Sequence, residues 1–352
     1  MHGVTPWKIE SAISNFHQFT WVDVRSENEF AKAHVPNAIN IPILSNSDRI
    51  AVGTCYKQYG RIDAVRLGLS LVGPKFPIIY DQLLDLNSLG KPLLFYCWRG
   101  GLRSQIATTL MHWAGEPVHI VEGGYKSYRN WTLQLFEKQH NFLVLSGSTG
   151  SGKTQILYEL EKEGVQILDF EGLAHHKGSV LGGIGQKPQP STEHFENLIG
   201  FQLHQFDQKQ PIVVENESRR IGQCLLPEPL WKSMQSVKTI EVCTDWETRV
   251  ERLFHEYAHL PLESLKEQTA KLNKRLGGQN EKQAQQALDN GDFREWIKLL
   301  LTYYDKAYSN YQALFNHQIS TVEIEWLGDR KNQIHSKSLH ALLAKINYES
   351  KQ

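Results

Sequence analysis

Two consecutive α/β domains are the fold class this sequence predicts, each a parallel sheet with helices on both faces, the second carrying a helical C-terminal extension. Three observations predict it. Strand-like and helix-like segments alternate twice along the chain, the order that lays parallel strands under helices. A glycine-rich turn joins an apolar strand to a helix once in each half, at Gly100-Gly101 and again between Gly147 and Gly152. The 352 residues are too many for one ordinary core and about right for two domains.

The first domain is expected over residues 12–135. Its strand Thr20 to Val24 precedes an acidic helical stretch around Glu27 to Ala33 and a segment Ala38 to Ile43. A helix-rich insert over Gly53 to Val72 separates these from the buried strand Pro92 to Tyr96. A helix from Arg103 to Trp113 and a strand from Val118 to Val121, ending at Gly123-Gly124, complete the domain. The boundary falls near Gln134 to His140, and the second domain is expected over 140–352.

That domain opens with the strand Phe142 to Leu145 and a helix from Lys153 to Glu163. Strands follow at Val165 to Leu168, Ile212 to Val214 and Thr239 to Val242. From Asp245 to about residue 316 the pattern turns helical and highly charged, with breaks at Gly277-Gly278 and Asn290-Gly291. A last strand, Thr321 to Trp326, and a last helix, Lys337 to Ile346, close it.

Hydrophobic content of 40% and charged content of 22% place the chain among globular proteins. Lys+Arg and Asp+Glu both number 38, so a nucleic-acid partner would have to be met by a local basic face. The first 18 residues lack the apolar stretch of a signal peptide, and no run is long enough to span a bilayer. A cytoplasmic protein without a membrane span is expected. Four scattered cysteines, Cys55, Cys97, Cys224 and Cys243, form no CxxC pair, which argues against a disulfide framework or a structural zinc site. No zinc, flavin or other structural metal is expected. In a reducing compartment a lone thiol can remain a nucleophile.

Cys97 is such a thiol. The strand Leu93 to Tyr96 delivers Cys97, Trp98, Arg99, Gly100, Gly101, Leu102, Arg103 and Ser104, then a helix. Backbone N–H groups freed by glycines and aligned with a helix N-terminus make a concave anion site. The same field, with Arg99 and Arg103 nearby, is expected to favour the thiolate of Cys97 near neutral pH. The other reading of the loop is a buried, inert cysteine at a strand end.

The second glycine turn is more specific. Gly147-Ser148-Thr149-Gly150-Ser151-Gly152-Lys153-Thr154 fits the P-loop pattern at every position, between a strand and a helix. Its amides face phosphate oxygens, Lys153 supplies a point charge, and Thr154 can reach a magnesium ion. A di- or triphosphate ligand follows, of open identity. Glu215 or Glu217, at the end of an apolar strand, fits a water-ordering or magnesium-linked acid. Asp169 and Glu171 form a second carboxylate pair, and each of the four could equally be a solvated strand-end acid.

Asp23-Val24-Arg25-Ser26, Glu29-Phe30, His34, Pro36 and Ala38-Ile39-Asn40-Ile41-Pro42, with the later Gly123-Gly124-Tyr125, resemble the opening and closing signatures of rhodanese domains, over about residues 15 to 135. That resemblance implies a sulfur or selenium carried on Cys97. Five residues separate Cys97 from Arg103, one more than in the commonest rhodanese pattern, and so resemble the rhodanese-fold phosphatases. A phosphatase needs a general acid that this loop does not offer, and dephosphorylation ranks below chalcogen transfer. Adding the P-loop, Asp169 to Ser179 with His175, His176 and Lys177, then Glu217-Ser218-Arg219-Arg220-Ile221-Gly222, the whole chain resembles bacterial tRNA 2-selenouridine synthases. Gly53 to Gln58 and Tyr303-Tyr304-Asp305 also resemble that family.

The resemblance implies replacement of sulfur by selenium in wobble 2-thiouridine of tRNA, with selenophosphate as the selenium source. It implies passage through S-geranyl-2-thiouridine made with geranyl diphosphate. Cys97 would carry selenium, and Arg99, Arg103 and the loop amides would bind selenophosphate. The P-loop, with a possible Mg2+, would hold a diphosphate. His175, His176, Lys177, Arg219 and Arg220 are candidate tRNA or substrate contacts, and Trp98 could stack on a base or line a prenyl pocket. The stretch with Lys266, Lys271, Lys274, Arg275 and Lys282 reads better as a solvated face, because Glu263, Glu267 and Glu281 interleave with it. Two competing functions remain: an ATP-dependent sulfurtransferase acting on RNA, and a kinase-like regulatory module in which Cys97 carries no chemistry.

Overall fold

A computed structural model describes residues 4–312, 319–326 and 334–349 of the chain. They divide into two compact units, one of Met1–Leu135 with Glu196–Phe201, the other of Phe136–Phe195 with Gln202–Gln352. No helix among the described residues is long and apolar enough to cross a membrane.

In the first unit, strands β1 (Val4–Trp7), β2 (Thr20–Asp23), β3 (Ile39–Asn40), β4 (Leu93–Tyr96) and β5 (Val118–Val121) form one parallel sheet in the order β1-β5-β4-β2-β3. Both faces are covered, so β4 is apolar at every position. Leu93 and Phe95 enter one cluster with Val22 and Val118, while Leu94 and Tyr96 enter the other with Trp21 and Val121. This is the period of two expected of a strand between two helical layers.

Three departures from the sequence reading stand out here. The sheet begins at β1, ahead of the expected start at residue 12, because Pro6 sits on an edge strand where a missing N–H costs nothing. The segment Ala38 to Ile43 keeps only the two-residue β3. The insert begins at Asn46 and runs through three helices, Asn46–Tyr59, Arg61–Val72 and Phe76–Asn87. Ser45 starts it by accepting the Asp48 N–H, with the Asp48 carboxylate returning to the Ser45 N–H.

The second unit has β6 (Phe142–Ser146), β7 (Gln166–Leu168), β8 (Ile212–Glu215), a hairpin of β9 (Arg220–Ile221) and β10 (Cys224–Leu225), β11 (Thr239–Cys243) and β12 (Ile319–Glu323). Five of them form a parallel sheet ordered β12-β11-β6-β8-β7; β9 and β10 pair antiparallel. Leu143, Leu145, Val213, Ile240 and Val242 build its core. The charged stretch after β11 folds as five helices, from Trp246–Tyr257 to Phe293–Gln312, around a core of its own centred on Trp296. Trp296 is fully buried and donates its indole N–H to Thr269 Oγ1 at 3.1 Å. The expected end of this stretch, residues 313–316, lies outside the described residues. The last strand closes three residues before Trp326, which forms an isolated bridge to Ile334.

Candidate active site

The residues of the opening signature build a frame. Arg25, 1% exposed, pairs with Asp23 at 2.6 Å and donates to the Ala33 carbonyl at 2.7 Å. Its guanidinium lies 3.9 Å from the centre of the Tyr125 ring. Asn40 donates to the carbonyls of both Asp23 and Arg25. A buried charge is tolerated when paired and fully hydrogen-bonded, and this one fastens the β2 end to the segment after β5.

Above that frame, Cys97 follows directly on β4 with 3% exposure, and its sulfur accepts the Gly101 N–H at 3.1 Å and lies 3.2 Å from Ser104 Oγ. Gly124 buttresses the loop from behind. Its φ is +60°, and an added Cβ would collide with the Cys97 carbonyl oxygen and sit 2.7 Å from the Gly100 nitrogen. Tyr125 N–H donates to the Cys97 carbonyl at 2.8 Å and Lys126 N–H to that of Trp98 at 3.0 Å. Gly123-Gly124, where the strand was expected to end, opens a helix, Gly124–Phe136, that grips the loop.

Cys97, Gly101 and Ser104 come together as expected, while the arginines do not converge on the sulfur. Arg103 donates to Glu29 at 2.6 Å, and Glu29 also pairs with Arg49 at 3.0 Å. Burial alone would raise the Glu29 carboxyl, but the hydrogen bond and charge of Arg103 hold it below the usual carboxylate range. Arg99 and Trp98 are exposed at the rim.

In the second unit the P-loop joins β6 to the helix Lys153–Lys162, and Lys153 Nζ donates to the Gly147 carbonyl at 3.0 Å. Three glutamates converge beside it. Thr154 Oγ1 lies 3.5 Å from Glu171 Oε2, Glu171 and Glu217 both lie against Gly178, and Glu215 is 3% exposed at the end of β8. Glu215 Oε1 is buried without a hydrogen-bond partner. Burial, with Lys153 opposing and Glu217 reinforcing it, pushes the Glu215 carboxyl up to about 7. Burial and the charges of Glu215 and Glu217 push Glu171 up to about 10, and Glu217 is raised mainly by burial. Asp169 is occupied otherwise: it caps the helix Phe170–Ala174 through Gly172 N–H and accepts from Tyr158 OH at 2.5 Å.

On the other side, Arg249 donates to the Thr149 carbonyl at 2.8 Å while gripping Asp305 at 2.6 and 3.0 Å. Gly152 (φ +87°) packs under Trp326 and Arg252; an added Cβ would collide with the indole and lie 2.6 Å from Arg252 Nη2. Glu29, Arg249, Arg252 and Trp326 were not among the site residues expected from sequence. Of the residues in these contacts, Glu29, in the opening signature, and Asp305, in the Tyr303-Tyr304-Asp305 motif, carried a signal.

The two segments holding the basic candidates lie side by side, with His176 against Gly222 and Gly178 against Glu217. Lys177 pairs with Glu256 at 2.6 Å, Arg219 meets Glu228 at 3.4 Å, and Arg220 is exposed on β9. His175 has φ +51° and its Nδ1 lies 2.9 Å from the Pro188 carbonyl; His176 Nδ1 is buried without a partner. On the helical extension Lys266 pairs with Asp289 and Lys271 with Glu267, as a solvated charged face would.

A family model described as the tRNA 2-selenouridine synthase AAA domain matches residues 140–325, and a rhodanese-like domain model matches residues 9–130. The chain belongs to the tRNA 2-selenouridine synthase family. A tRNA 2-selenouridine synthase of Shewanella sediminis is 36% identical over 322 residues, 82% of this chain and 86% of that protein. One of Pseudomonas fluorescens is 35% identical over 88% of this chain and 91% of its own, and one of Nitrosomonas eutropha 39% identical over 67% and 62%. Within this family frame, the cysteine loop lies in the rhodanese-like match and the glutamates and P-loop in the other.

Proposed function

We propose that the chain replaces the sulfur of a wobble 2-thiouridine in tRNA by selenium in two reactions, one on each loop. At the P-loop, the thiocarbonyl sulfur attacks C1 of geranyl diphosphate; the C–O bond breaks and diphosphate leaves. A neutral thiocarbonyl is a poor leaving group, and the S-alkylated base is a good one. At the other loop the selenium of a selenophosphate bound beside Cys97 attacks C2 of the base and geranylthiolate departs; water then cleaves the Se–P bond, so that phosphate leaves and 2-selenouridine remains. Cytoplasmic tRNA is the substrate this reading requires.

The observation that carries the reading is the presence of two unlike anion cradles in one chain, one with a sulfur at its centre and one with a lysine. The Gly101 amide and Ser104 hydroxyl beside Cys97 suit a negative chalcogen. Thr154 Oγ and the unpartnered Glu215 Oε1 fit a magnesium ion that takes its other ligands from phosphate and water. Bound there, the ion would neutralise charge on the departing diphosphate. Lys153 would do the same from the loop, in a water-poor setting where such charge counts most.

Mass spectrometry of tRNA nucleosides tests both halves. Lys153→Ala should leave 2-thiouridine unmodified, and Cys97→Ser should accumulate S-geranyl-2-thiouridine without 2-selenouridine. Geranylation by Lys153→Ala, or selenouridine formed by Cys97→Ser, would overturn the reading. ATP consumption coupled to chalcogen transfer would favour the ATP-dependent sulfurtransferase instead.

A further inference from the structure

We infer that a cavity on the β1–β5 edge of the first unit, bordering the Cys97 loop, holds the geranyl chain of the S-geranylated base while its sulfur is replaced. The inference rests on the reading that the reaction passes through that intermediate.

The cavity follows from the sheet. β1 and β5 pair Val4 with Val118 and Pro6 with Ile120. Side chains alternate along a strand, so these four share one face. Val4 and Val118 pack there with Ala107, Leu110 and Met111 of the helix Leu102–Trp113. Trp7 and Val121 belong to the cluster on the other face. Ile120 is half-buried and enters neither cluster; it borders a cavity of about 370 Å³ instead. Sites for small molecules run from roughly 300 to 1,000 Å³. Val4, Pro6 and Ile120 give the cavity an apolar wall, Gln105 borders it from the helix, and Gly100 and Gly123 border it at the loop.

Charge and position narrow the occupant. Among the described residues no lysine or arginine lines the cavity, and the exposed Glu122 at its rim disfavours an anion. A phosphate is therefore a poor guest and a neutral hydrocarbon a good one. The Gly101 N–H donates to the Cys97 sulfur at 3.1 Å, and Gly100, its neighbour in the chain, lines the cavity. Gly100 has φ +68°, and an added Cβ would lie 3.3 Å from the Val121 carbonyl oxygen. The loop thus rests on the end of β5 through a residue without a side chain, one peptide from the amide that holds the sulfur. An alkyl chain on a base presented to Cys97 has only that peptide to pass. Seated in the cavity, the chain keeps C2 of the base at the loop and supplies binding that unalkylated 2-thiouridine lacks.

Calorimetric titration of the full chain with S-geranyl-2-thiouridine, beside its S-dimethylallyl and S-methyl counterparts, tests the assignment. Each apolar carbon taken out of water is worth up to about fourfold in affinity. Shortening geranyl to dimethylallyl should therefore weaken binding to wild type about ten- to a hundred-fold. Gln105→Trp and Pro6→Trp fill the cavity from the helix and from the edge strand. Each should weaken the geranyl compound at least tenfold and leave the S-methyl compound within twofold. Thermal melts identify the folded variants, and one of the two suffices. If a folded variant binds the geranyl compound within twofold of wild type while chain length still matters, the chain sits elsewhere. The inference then fails and the two-reaction reading survives. If chain length leaves wild-type binding unchanged, the geranyl reading itself fails and takes the inference with it.

Discussion

Around Cys97 the charges are paired off, Asp23 with Arg25 and Glu29 with Arg103 and Arg49, and the loop is gripped from behind by Gly124 and Tyr125. Around Lys153 three glutamates of like charge crowd together, and one buried carboxylate oxygen has no partner. Both loops expose glycine-freed amides, yet one is a finished frame and the other holds electrostatic strain that a cation or a proton relieves. A thiol that must stay aimed benefits from rigidity. On the proposed reading, a loop that grips and then releases a polyanion benefits from neighbours that resist a permanent charge balance.

The contrast can be broken first at Gly124. Gly124→Ala forces a side chain into φ +60° and against the Cys97 carbonyl, so a loss of about 3–5 kcal/mol in the first unit is expected. Chemical denaturation should show it, together with loss of selenium transfer. Glu215→Gln probes the other loop with the opposite sign. Between pH of about 4.5 and 7 the folded chain keeps a Glu215 proton that the unfolded chain has lost, so this group's contribution to stability falls as pH rises. The variant should therefore be more stable than wild type at pH 8, by up to ~3 kcal/mol, with the gain vanishing near pH 4. Equal melting temperatures at pH 8 would show that Glu215 is not strained. The smallest effect is expected at Glu29. Glu29→Gln keeps the helix cap but releases Arg103, costing about 1 kcal/mol near neutral pH. Because the Glu29 pKa is depressed, its contribution is present above about pH 4.5 and lost as pH falls through the lower folded value. The difference from wild type should shrink in acid.

Both sheets and both glycine loops were legible in the sequence because each rests on local pattern: an apolar run of strand length, a glycine turn, a helix. β1 was not, since Val-Thr-Pro-Trp carries a proline and reads as a strand only once its edge position is known. The helix at Gly124 begins with the residue type that most often ends one. Arg103 was legible as an anion ligand by its spacing from Cys97, but Glu29, on another helix, claims it. Arg252 and Trp326 belong to segments that meet only because β11 and β12 lie side by side in parallel, a pairing no local window contains. Among the carboxylates, four looked alike in sequence; helix capping sets Asp169 apart from the three raised glutamates.

The placement of β1 also dictates an order of events during synthesis. Val4 pairs with Val118, so the first strand emerges from the ribosome long before the strand beside which it lies exists. At 5–20 residues per second the wait is roughly 5–25 s. Closing so long a chain segment is slow by its nature, and until then Trp7 and its neighbours face water. The strand Val4–Trp7 thus waits without its partner until β5 has been made.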